Sequence, residues 1–361
     1  MPALVTSRKI GYDQAPLDAD KFEIMLLEEF SDEQIEQYAT KWFLLESELR
    51  MPERQNKVST FIDESAVVPD IRSNPLMLGL LCNIYRGENY IPSNRPEVFE
   101  KCAVMLFERW DRGRGIDVVF PFKSRLRPAM QHLAYKIYSE PRLQGGVTES
   151  WLVDEAASYL FPRQFEEPDQ AREAAEEFIQ LCKGRAWVFT DTGSTADGEA
   201  LFQFTHRTFL EYFTAGYLVR NSRSLEQILE TLVPRIENRE WDVVAQLAFQ
   251  IQTRSLEDAA DDLLSGLLER ASESGSPRAR ANVVSFAGRT LEFLVPSPRV
   301  TREVVCQALG EAVEQAVASG TVERPSAELI TDEDFHGGSE SRVPCRSVDG
   351  SGSPRGRHET T

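Results

Sequence analysis

The sequence holds no Gly-Lys dipeptide, no Cys-x-x-Cys pair and no run of 18 apolar residues. The first absence excludes a P-loop within these residues. That loop needs glycine backbone to wrap the phosphates and its lysine to pair with their charge. The second, with an odd count of 5 cysteines scattered at 82, 102, 182, 306 and 345, excludes both a zinc ribbon and a disulfide framework. The third excludes a membrane-spanning helix. Positive charge is short as well: 40 basic side chains face 58 acidic ones, for a net charge of −18. That balance argues against binding nucleic acid through bulk charge and against docking on anionic lipid. MPALVTSRKIGYD has no apolar signal core. A reducing cytoplasm is therefore the expected compartment.

What is present suffices for large cores. The 361 residues are 41% hydrophobic, and a chain of this length is expected to form two or three domains. Ala3-Leu4-Val5 reads as a buried-type strand, and Phe22, Ile24 and Leu26 alternate with Glu23 and Met25 at strand period. Ser31 with Gln34 forms a capping box ahead of Ile35, Tyr38, Ala39, Trp42 and Phe43, which share one helix face. Asn74-Pro75 is a helix start, with asparagine as N-cap and proline at the first helical position. A further helix carries Phe99, Cys102, Ala103, Leu106 and Trp110, with Gly113 placed to end it.

Helices are expected over about 126–138, 149–160 and 170–182, with Thr148 and Asp169 as caps and Gly184 as a stop. Trp187-Val188-Phe189 and Leu201-Phe202-Gln203-Phe204 then flank a polar tip, DTGSTADGE, as a hairpin. Three helices followed by a hairpin is the order of a winged helix. Thr208 and Glu211 read as the capping box of the next helix, with Phe209, Tyr212 and Phe213 as core. From about 224 to 320 the period is helical, punctuated by Pro234, Pro277, Pro296 and Pro298, as in stacked helix pairs. Asp154-Glu155 and Asp261-Asp262 read as solvated helix faces, and His132 has no Cys or His partner at metal spacing. The Gly-, Ser- and Pro-rich tail has too little apolar surface to offset its ordering entropy and is expected to be disordered.

Several strings are more particular. TSRKIGYD, SNPLMLGLLCNIYR, IPSNRPEVFEKCAVMLFERWD, FQFTHRTFLEYFTAGYL and REWDVVAQLAF occur in the order and rough spacing of the NACHT family, which the chain resembles over about residues 3–250. The resemblance implies a signal-transduction NTPase of the STAND class, bacterial type, locked by ADP and driven by ATP to oligomerise. It also implies a link to antiphage defence or signalling. Neither the P-loop nor an apolar strand ending in paired acids is present, so the chain reads as a C-terminal portion that begins inside the nucleotide-binding domain and has no ATPase activity itself. The expected fold is mainly α. Residues 1–45 would be a remnant of the nucleotide-binding domain, 46–125 a helical domain and 126–222 a winged helix. An α-helical array would span 223–322, and the loose tail 323–361.

Three residues carry the implied site. Arg8, after the sensor strand, would report on the γ-phosphate; a guanidinium stays charged and its fork matches phosphate oxygens. Pro75 would pack on the adenine ring, and as a residue at a helix start it also serves simple helix initiation. His206, between hairpin and helix, would reach the β-phosphate of ADP in a region that favours anions. ATP or ADP with Mg is expected only together with the missing N-terminal half, and otherwise no cofactor. That half, a second copy or an effector would be the partner; nucleic acid and membrane are not expected. Two other readings stand beside this one: a stand-alone helical adaptor and a non-functional truncated product.

Overall fold

The computed structural model describes residues 5, 17–18, 21–23, 25, 28–46, 50–92, 94–105, 125–184 and 188–319. Over these the chain is mainly helical, with one small three-stranded sheet. Arg8, the expected end of the helix around Trp110 and Gly113, and the tail beyond 319 lie outside the described residues. The expected strand around Phe22–Leu26 is not found where it can be followed. Phe22, Glu23 and Met25 are in no strand, and Met25 is 76% exposed. Ile24 and Leu26, and Ala3-Leu4 of the other expected strand, lie outside the described residues.

The first helices are α1 (Asp32–Leu44), α2 (Met51–Ser65), α3 (Pro69–Arg72) and α4 (Pro75–Glu88). The capping box at α1 is present: Gln34 N donates to Ser31 Oγ at 3.3 Å and Ser31 N donates to Gln34 Oε1 at 2.9 Å. Phe43, Phe61 and Tyr85 meet edge-on, with ring centroids 5.4 to 6.0 Å apart. Such pairs add about 0.5–1.5 kcal/mol each beyond the area they bury. Arg72 ties α3 to its neighbours, donating to Asp32 Oδ1 at 2.7 Å and to the Ile62 carbonyl at 3.1 Å. Helix α5 (Arg95–Val104) follows, capped by Asn94, whose Oδ1 accepts from Glu97 N at 2.9 Å.

Next come α6 (Leu126–Ser139), β1 (Val147–Thr148), α7 (Glu149–Leu160), α8 (Pro168–Gly184), β2 (Phe189–Ser194), β3 (Ala200–Phe204) and α9 (Arg207–Asn221). The sheet is antiparallel in the order β1-β3-β2, with Val147 opposite Phe202 and Phe189 opposite Phe204. Thr148 caps α7, accepting from Trp151 N at 3.2 Å. Asp169 is not a cap, because Pro168 already occupies the first helical position and Asp169 lies inside the first turn. Strand β2 extends into the expected tip as far as Ser194. A register shift between Asp191 and Gly193 absorbs the extra residue there, and Gly193 has a φ of 142° that favours glycine.

The expected capping box at Thr208 and Glu211 is also absent. Helix α9 begins one residue after His206, which is its N-cap, and Thr208 is already helical. Arg207 instead holds Glu211 at 2.9 Å across one turn. Phe209, Tyr212 and Phe213 are buried core residues as expected.

The remaining helices are α10 (Leu225–Glu237), α11 (Asp242–Thr253), α12 (Ala259–Glu273), α13 (Pro277–Thr290) and α14 (Pro298–Ala318). Pro234 does not separate two of them; it sits inside α10. Helix α9 packs on α6 and α11, and α12 packs on α13 and α10. Buried residues from Ile35 through Val304 join one continuous core. Spatial contacts divide the chain into two units after Ala312, and every contact above lies within the N-terminal one. Among the described residues no helix is long and apolar enough to cross a membrane.

Candidate functional site

At the junction between β3 and α9 two consecutive residues each carry a buried side-chain polar atom without a partner among the described residues. Thr205 N donates to the Val188 carbonyl at 2.7 Å, which anchors the end of β3 against the segment entering β2. The chain then turns through His206, in extended conformation, into α9. Phe209 and Leu210 donate to the His206 carbonyl at 3.1 and 3.4 Å, closing the first turn. No side chain caps this helix start. His206 Nε2 and Thr205 Oγ1 are both buried and have no hydrogen-bond partner among the described residues. A buried polar atom left unmade costs about 1–3 kcal/mol. Both residues lie at an uncapped helix start, where the backbone favours negative charge. Burial pushes the His206 pKa down from the ordinary histidine value, so the imidazole is neutral near pH 7 and one ring nitrogen is a donor.

Pro75 occupies the first helical position of α4, as its sequence context requires. Asn74 Oδ1 accepts from Leu76 N at 3.1 Å and from Met77 N at 3.2 Å. The Pro75 ring is exposed. The segment before α1 runs alongside: Phe30 N donates to the Ser73 carbonyl at 2.8 Å, and Ser73 Oγ donates to Glu29 Oε2 at 2.8 Å. A cleft of about 590 Å³ opens at this junction, walled by Glu29, Phe30, Asp32, Glu33, Arg72 and Ser73 among others. Its three carboxylates against one arginine make it a poor seat for phosphate, and leave it indifferent to an uncharged ring. Pro75 and His206 stand on different helices, no hydrogen bond joins them, and neither lines this cleft. Arg8 lies outside the described residues.

Two clusters were not legible as sites in the sequence. His132 on α6 is not isolated: its Nε2 lies 2.7 Å from Glu155 Oε1, with Tyr159 stacked on the ring at 4.8 Å. Glu155, expected on a solvated face, also faces Lys136 at 3.5 Å. Asp154 keeps the expected exposed role and pairs with Arg172. The other cluster joins α5, α6, α9 and α11. Glu100 is shared by Arg127 at 2.9 Å and Arg254 at 3.2 Å, and Arg127 also donates to the Tyr212 hydroxyl. No short motif signals it, because its members are far apart in the chain. Among the described residues no group of three His, Cys, Asp or Glu is placed to hold a metal ion. Cys82, Cys102 and Cys182 are buried free thiols, with Cys82 and Cys102 pushed up to about 12 by burial. They are core residues and not nucleophiles.

Compared with family models and with curated proteins, the chain matches none.

Proposed function

We propose that this chain is the regulatory, lid-side part of a nucleotide-dependent switch of the NACHT and STAND kind, locked by ADP and released by exchange for ATP. The observation that carries this reading is the buried His206 Nε2, which has no partner among the described residues, beside an uncapped helix start. Two features support it. Elements α6 to β3, with the sheet order β1-β3-β2, run in the sequence of a winged helix. The five strings quoted above follow the order of the family they resemble. Pro75, exposed at the start of α4, fits a flat contact with an uncharged base.

In this reading His206 donates to a phosphate oxygen of the bound nucleotide only when the winged helix is docked. A hydrogen bond to a charged group contributes about 1.5–3 kcal/mol. Moving a switch from 1:99 to 99:1 needs about 5.5 kcal/mol of differential binding. His206 therefore biases the closed state, and packing between domains supplies the rest. The residues present hold no Gly-Lys loop, so firm binding of ATP or ADP with Mg²⁺, and hydrolysis, need a partner surface that supplies one. The winged helix here serves the switch and not DNA, given the net charge of −18. Signalling or antiphage defence by oligomerisation is the role this places the chain in.

Calorimetric titration of the purified chain with ADP and Mg-ATP tests the division of labour. The expected result is weak or absent binding and no turnover. Sub-micromolar binding with turnover overturns it. A second reading, a helical adaptor for another protein, draws on the exposed Val305 and Leu309 one turn apart on α14, 41% and 63% exposed.

A further inference from the structure

The cleft between α5, α6, α9 and α11, about 200 Å³ in volume, is lined by Glu100, Arg127, Gln131, Tyr212, Arg220 and Arg254 together with Gly216. Three arginines against one glutamate leave two positive charges in a protein of net charge −18. The glutamate is already spent: Oε1 accepts from Arg127 at 2.9 Å and Oε2 from Arg254 at 3.2 Å. Glu97 stands 4.0 Å from Arg254, but it is itself shared with Asn94 at 3.0 Å and Lys101 at 3.9 Å.

What remains in the cleft is donor capacity. Arg220 has no carboxylate partner among the described residues; its one side-chain contact is a long 3.5 Å approach to Gln131 Oε1. The Gln131 side chain is nearly buried, at 7% exposure, and its amide nitrogen meets no acceptor among the described residues. Tyr212 accepts from Arg127, and its own hydroxyl proton has no acceptor there. Burial pushes the Tyr212 pKa up to about 12, so it keeps that proton at any ordinary pH. Arg127 Nε is buried and unpartnered as well. Gly216 makes room for the Gln131 amide, since a Cβ there would come within 2.5 Å of Gln131 Nε2.

We propose that this cleft binds a phosphate group, free or as the monoester of a small polar molecule. Two net positive charges match a phosphate dianion, arginine forks match its oxygens, and the amide and phenol supply neutral donors at the floor. The volume exceeds that of a bare phosphate and leaves room for a small body attached to it. This site is separate from His206: Gly216 lies about 15 Å further along α9 at 1.5 Å per residue. It is built by different side chains, so it stands or falls independently of the nucleotide reading. Because it joins four helices, its occupancy would stiffen the α5–α6–α9–α11 junction.

The test is calorimetry and thermal unfolding of the whole chain with inorganic phosphate and with glycerol 2-phosphate. Sodium chloride at matched ionic strength is the control, and Arg220→Gln with Arg254→Gln is the variant. Both arginines are exposed, so the double variant should keep its helical circular dichroism. The expected result is saturable binding at one site, a rise in melting temperature beyond that in chloride, and at least a tenfold loss of affinity in the double variant. Tighter binding of the ester identifies a carried phosphate as the ligand, and equal binding identifies free phosphate. Either supports the site. An effect no larger than chloride, or equal binding by the double variant, overturns the proposal.

Discussion

His206 is a side chain that costs the fold stability, and in the proposed reading it serves a switch. Its Nε2 is buried without a partner among the described residues, and burial lowers its pKa. The unfolded chain therefore binds the proton first as pH falls. Stability is full above about pH 6.5 and declines below it, because protons pull toward the unfolded state. His132 has the same sign, since burial outweighs the opposing pull of Glu155. Urea midpoints measured from about pH 8 to about pH 6 should fall, and His206→Gln should flatten that slope. A slope unchanged in the variant would mean that His206 does not carry it. Asn74 gives a contrasting case. It caps two backbone N–H groups of α4, so Asn74→Ala should cost about 0.5–2 kcal/mol in denaturant unfolding. Pro75 by itself is satisfied as a helix starter, and the adenine role adds nothing that the isolated chain would lose.

Among the elements, α10 carries the clearest strain. Pro234 lies in its interior yet is exposed, so it removes a helix hydrogen bond without filling the core. An interior proline costs about 3 kcal/mol. Releasing the unfolded chain from proline's restriction takes back about 0.4–1 kcal/mol. Pro234→Ala should therefore raise the melting temperature by several degrees in a calorimetric scan, and a fall would show that the proline serves packing. Helix α12 is the opposite case. A Cβ at Gly266 would come within 2.5 Å of Leu229 Cδ1, on a side chain buried in the same core. Gly266→Val should destabilise by about 1–3 kcal/mol through overpacking. The contrast between the two helices also marks what periodicity could read. Apolar spacing located α1, α4, α7 and the helices after 224, because each buries a continuous face. It misjudged Pro234, whose local rule was overridden by the tertiary fit of α10. It also misjudged Glu211, because the neighbouring Arg207 offered a closer partner than the helix N-terminus.

At the scale of the whole molecule, the mainly helical class and the hairpin were legible in the sequence, while the two-residue strand β1 was not. Val147-Thr148 is too short to show a period; it becomes a strand only because β3 lies beside it. The candidate residues divide in the same way. Pro75 and His206 announced themselves through neighbours in sequence. The arginine cleft did not, since Arg127, Arg220 and Arg254 meet only after four helices pack. The central claim is that His206 reads nucleotide when a phosphate-cradling domain is joined to this chain. The most direct measurement is the rate of ADP release from a fusion with a P-loop domain of the resembled family, in the native sequence and in His206→Ala. Loss of a charge-assisted contact of about 1.5–3 kcal/mol should speed release roughly ten- to a hundred-fold. The same change in the chain alone should alter only its stability. No retention of ADP by the native fusion, or equal release from both, would contradict the account.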